Sequence, residues 1–175
     1  MWGWRRLQPA EVAWVLQCFG TQQGRWLQQQ IRVGVRRVGD TRRALCLNGG
    51  WVSLPRACFT QGDGAQPLRL DCAPIAALLA HELLHQLQRR QGLPVTRQSA
   101  WLQCVHLCGG RDPYAYVGHA SPRAMLRQFW SAQVEQQAQM WQDHVQAWAT
   151  GTPLPWAQGM VRAVQAGRLR RRSGR

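Results

Sequence analysis

At 175 residues the chain is one domain by length, with material for one core and little to spare for a second. Ten Trp and 45% apolar residues exclude a disordered polymer, and the longest apolar run, APIAALLA, is far short of the ~18 residues that span a bilayer. The net charge of +14, carried entirely by Arg, points to an anionic partner (nucleic acid, cell-wall polymer, membrane surface or acidic protein), yet no basic–aromatic array or nucleic-acid motif makes nucleic acid the expected one.

Residues 8 to 19, QPAEVAWVLQCF, predict a helix, with Pro9 in its first turn and Val12, Val15, Leu16 and Phe19 on one face. Pro9, Glu11 and Gln17 interrupt the apolar stretch that a signal peptide requires, so export by a standard signal is not expected. QIRVGVRRV alternates, setting Ile31, Val33 and Val35 against Arg32, Gly34 and Arg36, as a half-buried strand does. ALCLNGGWVSLP reads as a hairpin turning at Asn48, Gly49 and Gly50, residues that tolerate positive φ.

A helix is predicted from near Asp71, an N-cap residue, to Gly92 and Pro94, with Arg89 and Arg90 against the negative end of its dipole. An irregular segment follows. SPRAMLRQFWSAQVEQQAQMWQDHVQAWATG then holds a second long helix that starts at Ser121-Pro122 or near Ser131 and stops at Gly151. The expected class is α+β: a small antiparallel sheet packed on the first long helix and a second one, within a single domain over residues 1–150. Residues 151–175 read as a basic C-terminal extension whose last ~8 residues are solvated and disordered. Six Cys are many for a cytosolic chain and too few for a disulfide scaffold.

His81, Glu82 and His85 form His-Glu-x-x-His in the first long helix. At about 100° per residue the two imidazoles point the same way, one turn apart, where both reach one ion at ~2.0–2.1 Å. Glu82 lies off that line, able to reach a water on the ion without being a ligand. Ile75, Leu79, Ala80, Leu83 and Leu87 anchor the opposite face. A His pair at this spacing is often an ordinary surface feature. With only five His and three Glu in the chain, however, a chance match to the whole motif is rare.

Two imidazoles leave a zinc ion underbound, so a third protein ligand is required. No His stands eleven residues after the first; the candidates are Glu135, His106, His119, Asp112, Asp143 and His144. Glu135 is favoured, because its helix, packing through Val134, Ala138, Trp141 and Val145, can present a carboxylate to the first helix. Asp143, two turns on, is a candidate to hold an imidazole from behind. CVHLC offers Cys104, His106 and Cys108 as a second metal pattern, but its alternating spacing does not match a usual zinc knuckle.

AHELLHQLQRRQG, DPYAY and VEQQAQMWQD together resemble a group of small bacterial zincin-type (gluzincin-like) domains called Vgr-related, found near type VI secretion spike proteins. LQPAEVAWVLQCFG and GGWVSLP are also similar to that group, so the likeness spans residues 7 to 150. It implies a minimal zincin-like fold, Zn2+ held by His81, His85 and Glu135, and Glu82 as base. It also implies release by a type VI system into a target cell or its periplasm, with a spike protein or an acidic immunity protein as partner. The Cys content and Arg-rich tail depart from that pattern.

The expected function is that of a zinc metallopeptidase acting on a peptide or peptide-containing substrate. Glu82 would take the proton from water as it attacks the carbonyl. Tyr114 and Tyr116, with His119 and His144, are candidates to stabilise the oxyanion, against a packing role for the Tyr pair. WVSLP would supply the sheet edge along which an extended peptide lies. The alternatives are an inactive zincin scaffold serving as cargo adaptor or spike piece, and a basic nucleic-acid-binding domain whose His pair is incidental.

Overall fold

Helix α1 spans Pro9–Gln30 as two helical stretches parted at Gly20, whose φ of 72° and ψ of 164° leave helical space. The expected helix over 8–19 is the first stretch. The second turns Gln23, Gly24 and Leu27 inward and delivers the chain to the sheet. The start of α1 is fastened by the buried Glu11. It accepts from the Gln8 N–H (2.7 Å), the Leu68 N–H (2.8 Å) and both terminal nitrogens of Arg5 (2.7 and 2.6 Å). The computed structural model describes residues 3–110, 112–118 and 121–170.

The sheet has three strands, β1 (Arg32–Val35), β2 (Leu45–Cys46) and β3 (Trp51–Leu54), in the order β1-β3-β2. β2 and β3 form the expected antiparallel hairpin, but β1 runs parallel to β3, so the sheet is mixed and not antiparallel. The cause is the long connection from residue 36 to 44, which carries the chain past the place where β3 inserts. Two expectations change with it. WVSLP lies on the central strand, and the edge strands are β1 and β2. The Arg-side face of β1 is not simply solvated either: Gly34 is buried under Trp4, where a Cβ would come within 2.8 Å of the indole. At the hairpin, Gly50 has φ +82°, and a Cβ there would meet the Gln30 carbonyl oxygen.

Helix α2 (Ala73–Arg90) begins one residue past Cys72, carries Pro74 in its first turn and ends before Gly92, whose φ is +72°. It is buried all round from Leu79 to Gln88: Leu79, Leu83, Leu84 and Leu87 face the core, and His81, Glu82, His85, Gln86 and Gln88 are covered as well. Each of those leucines contributes roughly 2 kcal/mol on burial. The polar side is covered because later elements close over it, which a period count on one helix cannot reveal.

Helix α3 (Val95–Leu107) stands where irregular chain was expected; of its residues only Val95 is buried. The second long helix is two, α4 (Pro122–Ser131) and α5 (Val134–Ala149), so both expected starts exist, parted by extended backbone at Ala132 and Gln133. Phe19 and Trp141 meet in the core with ring centroids 5.4 Å apart. After a 3-10 turn at Pro155–Ala157, α6 (Gln158–Gln165) buries Met160, Ala163 and Val164. Leu169 is fully buried, and the Trp130 indole donates to the Arg168 carbonyl at 3.1 Å. Residues 168–170 of the expected tail thus belong to the described structure, and 171–175 lie outside it. The described helices and sheet make this an α+β protein, and none of those helices is long and apolar enough to cross a membrane.

Candidate metal centre

α2 places His81 and His85 one turn apart, and α5 begins alongside the end of α2 and brings Glu135 between them. Nε2 of each imidazole lies 3.4 Å from Oε2 of Glu135, and the two rings are 4.9 Å apart at 82°. The three donor atoms lie within 4.8 Å of one another, and all three residues are buried. Donors held ~2.0–2.1 Å from one ion at tetrahedral angles sit ~3.3 Å from each other. A charge-assisted hydrogen bond would instead close to about 2.8 Å. Both Nε2–Oε2 distances are close to the first of these spacings. His81, His85 and Glu135 form the one such group of three among the described residues, and it could bind a metal ion.

The electrostatics agree. Burial works against charge on Glu135, yet the imidazoles of His81 and His85 outweigh it and hold the carboxyl well below the usual range. Burial likewise opposes a charged His85, and the neighbouring Glu135 carboxylate reverses that and raises it.

Behind His85 stands Gln88, a residue the sequence reading did not single out. Its Oε1 lies 2.7 Å from His85 Nδ1, while its Nε2 donates to the Val134 carbonyl and to Gln137 Oε1, each at 3.0 Å. Gln137 is in turn fixed, because its Nε2 donates to the carbonyls of Phe129 (2.7 Å) and Leu169 (3.0 Å). With both amides oriented by their donors, Gln88 presents oxygen to the ring, so Nδ1 must carry the hydrogen. That assignment leaves the Nε2 lone pair facing Glu135, the tautomer a metal ligand needs. The spacing of His85 and Gln88, three residues apart on one helix, was the available signal.

Glu82 is buried and lines the same cavity of about 780 Å3. Among the described residues its carboxylate has no hydrogen-bond or ion-pair partner. Tyr114 also lines the cavity, its ring 6.1 Å from that of His81. Its hydroxyl accepts from Arg43 Nη2 (3.0 Å) and Gln103 Nε2 (2.9 Å), and burial, then the Glu135 charge, raise its pKa.

Tyr116 does not join this cavity. Its hydroxyl donates to Asp143 Oδ2 at 2.6 Å, and Asp143 Oδ1 accepts from Gln139. The residues after Tyr114 lead the second ring away to α5. Asp143 therefore holds a tyrosine and an amide, not an imidazole. His144 packs on Trp141 at 5.2 Å, and burial lowers its pKa. His106 and Asp112 are exposed, and Asp112 caps the turn by accepting from the Tyr114 N–H. His119 lies outside the described residues. Cys104 and Cys108 are exposed free thiols on and beside α3, and the CVHLC pattern gathers no further ligand among the described residues.

β2 borders the cavity as the open strand of the sheet. Gln86 and Arg89 of α2 reach across to it: Gln86 Nε2 donates to the Leu47 carbonyl and Cys46 Sγ, Arg89 to the Cys46 carbonyl and the same sulfur, all at 2.8–2.9 Å. Fold and site together define an α+β protein with a buried His2Glu group at the floor of a cleft. Compared with known proteins, the chain matches no family model, no curated protein and no solved structure.

Proposed function

We propose that the protein is a zinc metallopeptidase of the zincin type, with His81, His85 and Glu135 as ligands and Glu82 as general base. The observation that carries this reading is the convergence of three buried donor atoms, within 4.8 Å of one another, with the buried carboxylate of Glu82 in one cavity. A zinc ion held there supplies Lewis acidity toward a carbonyl and makes water a better acid. Glu82 removes the proton from the water that attacks the scissile carbonyl and passes it to the leaving nitrogen. Arg43 and Gln103 occupy the lone pairs of Tyr114, so its own hydrogen remains for the oxygen that gains charge. Its raised pKa keeps that hydrogen in place at neutral pH. Tyr116 has no part in this scheme.

The resemblance to Vgr-related domains supports delivery by a type VI secretion system, with a spike protein or an acidic immunity protein as partner. The test is metal analysis of wild type, Glu135→Ala and Glu82→Gln beside an assay of peptide hydrolysis. About one zinc per chain is expected in wild type and Glu82→Gln, with much less in Glu135→Ala. Hydrolysis by Glu82→Gln should fall by 10²-fold or more. Full zinc in Glu135→Ala would end the ligand assignment. Unchanged hydrolysis by Glu82→Gln would end the mechanism, and a zinc-loaded protein that cleaves nothing would favour the scaffold function.

A further inference from the structure

Three guanidiniums, those of Arg36, Arg43 and Arg89, line the cavity around the triad. None of them forms an ion pair among the described residues, where the ion pairs are Arg5–Glu11, Arg42–Asp40 and the two contacts of Glu135. Of the acidic groups on the same walls, Asp40 pairs with Arg42 and also feels the charge of Arg43 without an ion-pair contact to it, Glu135 faces both imidazoles, and Glu82 contacts none of the three arginines.

The three arginines differ in what they have left to give. Arg36 spends Nε on the Val38 carbonyl and Nη1 on those of Arg43 and Ala44, shaping the chain before β2. Arg89, one turn beyond His85 on α2, spends both terminal nitrogens on Cys46. Its Nε is buried without an acceptor. Arg43 is exposed and uses only Nη2, on the Tyr114 hydroxyl beside His81. Its Nε and Nη1 have no partner among the described residues. Nη2 keeps a second hydrogen, which together with that of Nε or of Nη1 leaves one edge of the guanidinium to meet a carboxylate fork to fork. The low-dielectric walls of a cleft strengthen that attraction over one on open surface.

We propose that the cleft takes an extended peptide bearing a carboxylate side chain close to the scissile bond, and that Arg43 receives that carboxylate. This specificity rests on the peptidase reading above. It turns the general excess of positive charge into a local preference, with Arg89 adding to the field from the other side of the two imidazoles. Since Arg43 also touches Tyr114, binding of the acidic side chain would steady the hydroxyl that faces the reacting carbonyl.

The test uses the full-length, zinc-loaded Glu82→Gln variant, so that binding is read without turnover. Calorimetry would compare one blocked pentapeptide with Glu, Gln or Lys at its centre. The Glu peptide should bind about tenfold tighter than the Gln peptide, the scale of one charge-assisted pair. The Lys peptide should bind weakest, and added salt should narrow the differences. Arg43→Gln should erase the preference for Glu. Arg25→Gln, an exposed change on α1 outside the cavity, removes the same charge and should leave the preference intact. Equal affinity for the Glu and Gln peptides overturns the inference, as does loss of the preference in Arg25→Gln to the same degree. Failure of all three peptides to bind zinc-loaded protein would overturn the peptidase reading itself, and the inference with it.

Discussion

A single 2.7 Å contact between Gln88 and His85 decides which ring nitrogen carries the proton. The amide is neutral and fully buried, so it acts by orientation and not by charge. Gln88→Leu leaves Nδ1 without an acceptor and frees the ring to turn. Zinc affinity, measured by competition with a chelator, should fall by about 10- to 100-fold. Gln88→Glu keeps the acceptor toward Nδ1 but sets a carboxylate oxygen against the Val134 carbonyl and Gln137 Oε1, so it should lower the urea midpoint as well as zinc affinity, whereas Gln88→Leu should lose affinity chiefly. The residue scale is also where the sequence was most legible. His81, Glu82 and His85 announce themselves because helical geometry converts their spacing into one direction. Glu135 was legible only because acids are scarce in this chain and its helix has a packing face. Gln88 was not, since an amide has no signature apart from the partner it finds. Tyr114 and Tyr116 looked equivalent in sequence, and tertiary contacts separate them.

Among the elements, those with a sharp apolar period were readable and those without one were not. α2 and α5 declare themselves by period and by their stops. α3 buries little beyond Val95, so no stripe marks it, although its Thr96, Ser99 and Gln103 wall the cleft. The parallel pairing of β1 with β3 was illegible for another reason: strand patterns show which side chains face inward and say nothing about the order in which strands assemble. The first turn of α1 offers a test at this scale. Glu11 joins α1 to Arg5 and to the Leu68 N–H, so it ties the helix start to the segment before α2. Glu11→Ala would strand a largely buried guanidinium and two backbone donors. It should cost about 3 kcal/mol, read as a lower midpoint in a urea melt. Zinc stoichiometry of the folded fraction should stay at one, because Glu11 does not line the cavity.

For the whole molecule, the thiols set a pH limit. Burial pushes Cys46 up to about 12, with Glu82 adding to the rise, and pushes Cys58 up to about 11, with Cys72 adding to it. Cys18, fully enclosed, is raised further by burial. In an unfolded chain these groups ionise near 9.0. Between that value and 11, the unfolded state has released protons that the folded state still holds, so stability falls as pH rises. Reduced protein should melt at a lower temperature at pH 10.5 than at pH 8. In Cys18→Ala the drop should be smaller. At pH 8, alkylation of native protein should mark Cys104 and Cys108 and spare Cys18 and Cys46.

The chain of amides from His85 through Gln88 and Gln137 ends on the carbonyl of Leu169, more than eighty residues downstream. Grip on an ion at the triad and docking of that distal strap would thereby be coupled. Linkage makes the influence mutual: a loaded centre would hold the strap down, and a strap pulled or trimmed away would slacken the centre. The segment around Leu169 would thus act as a remote handle on the candidate metal centre.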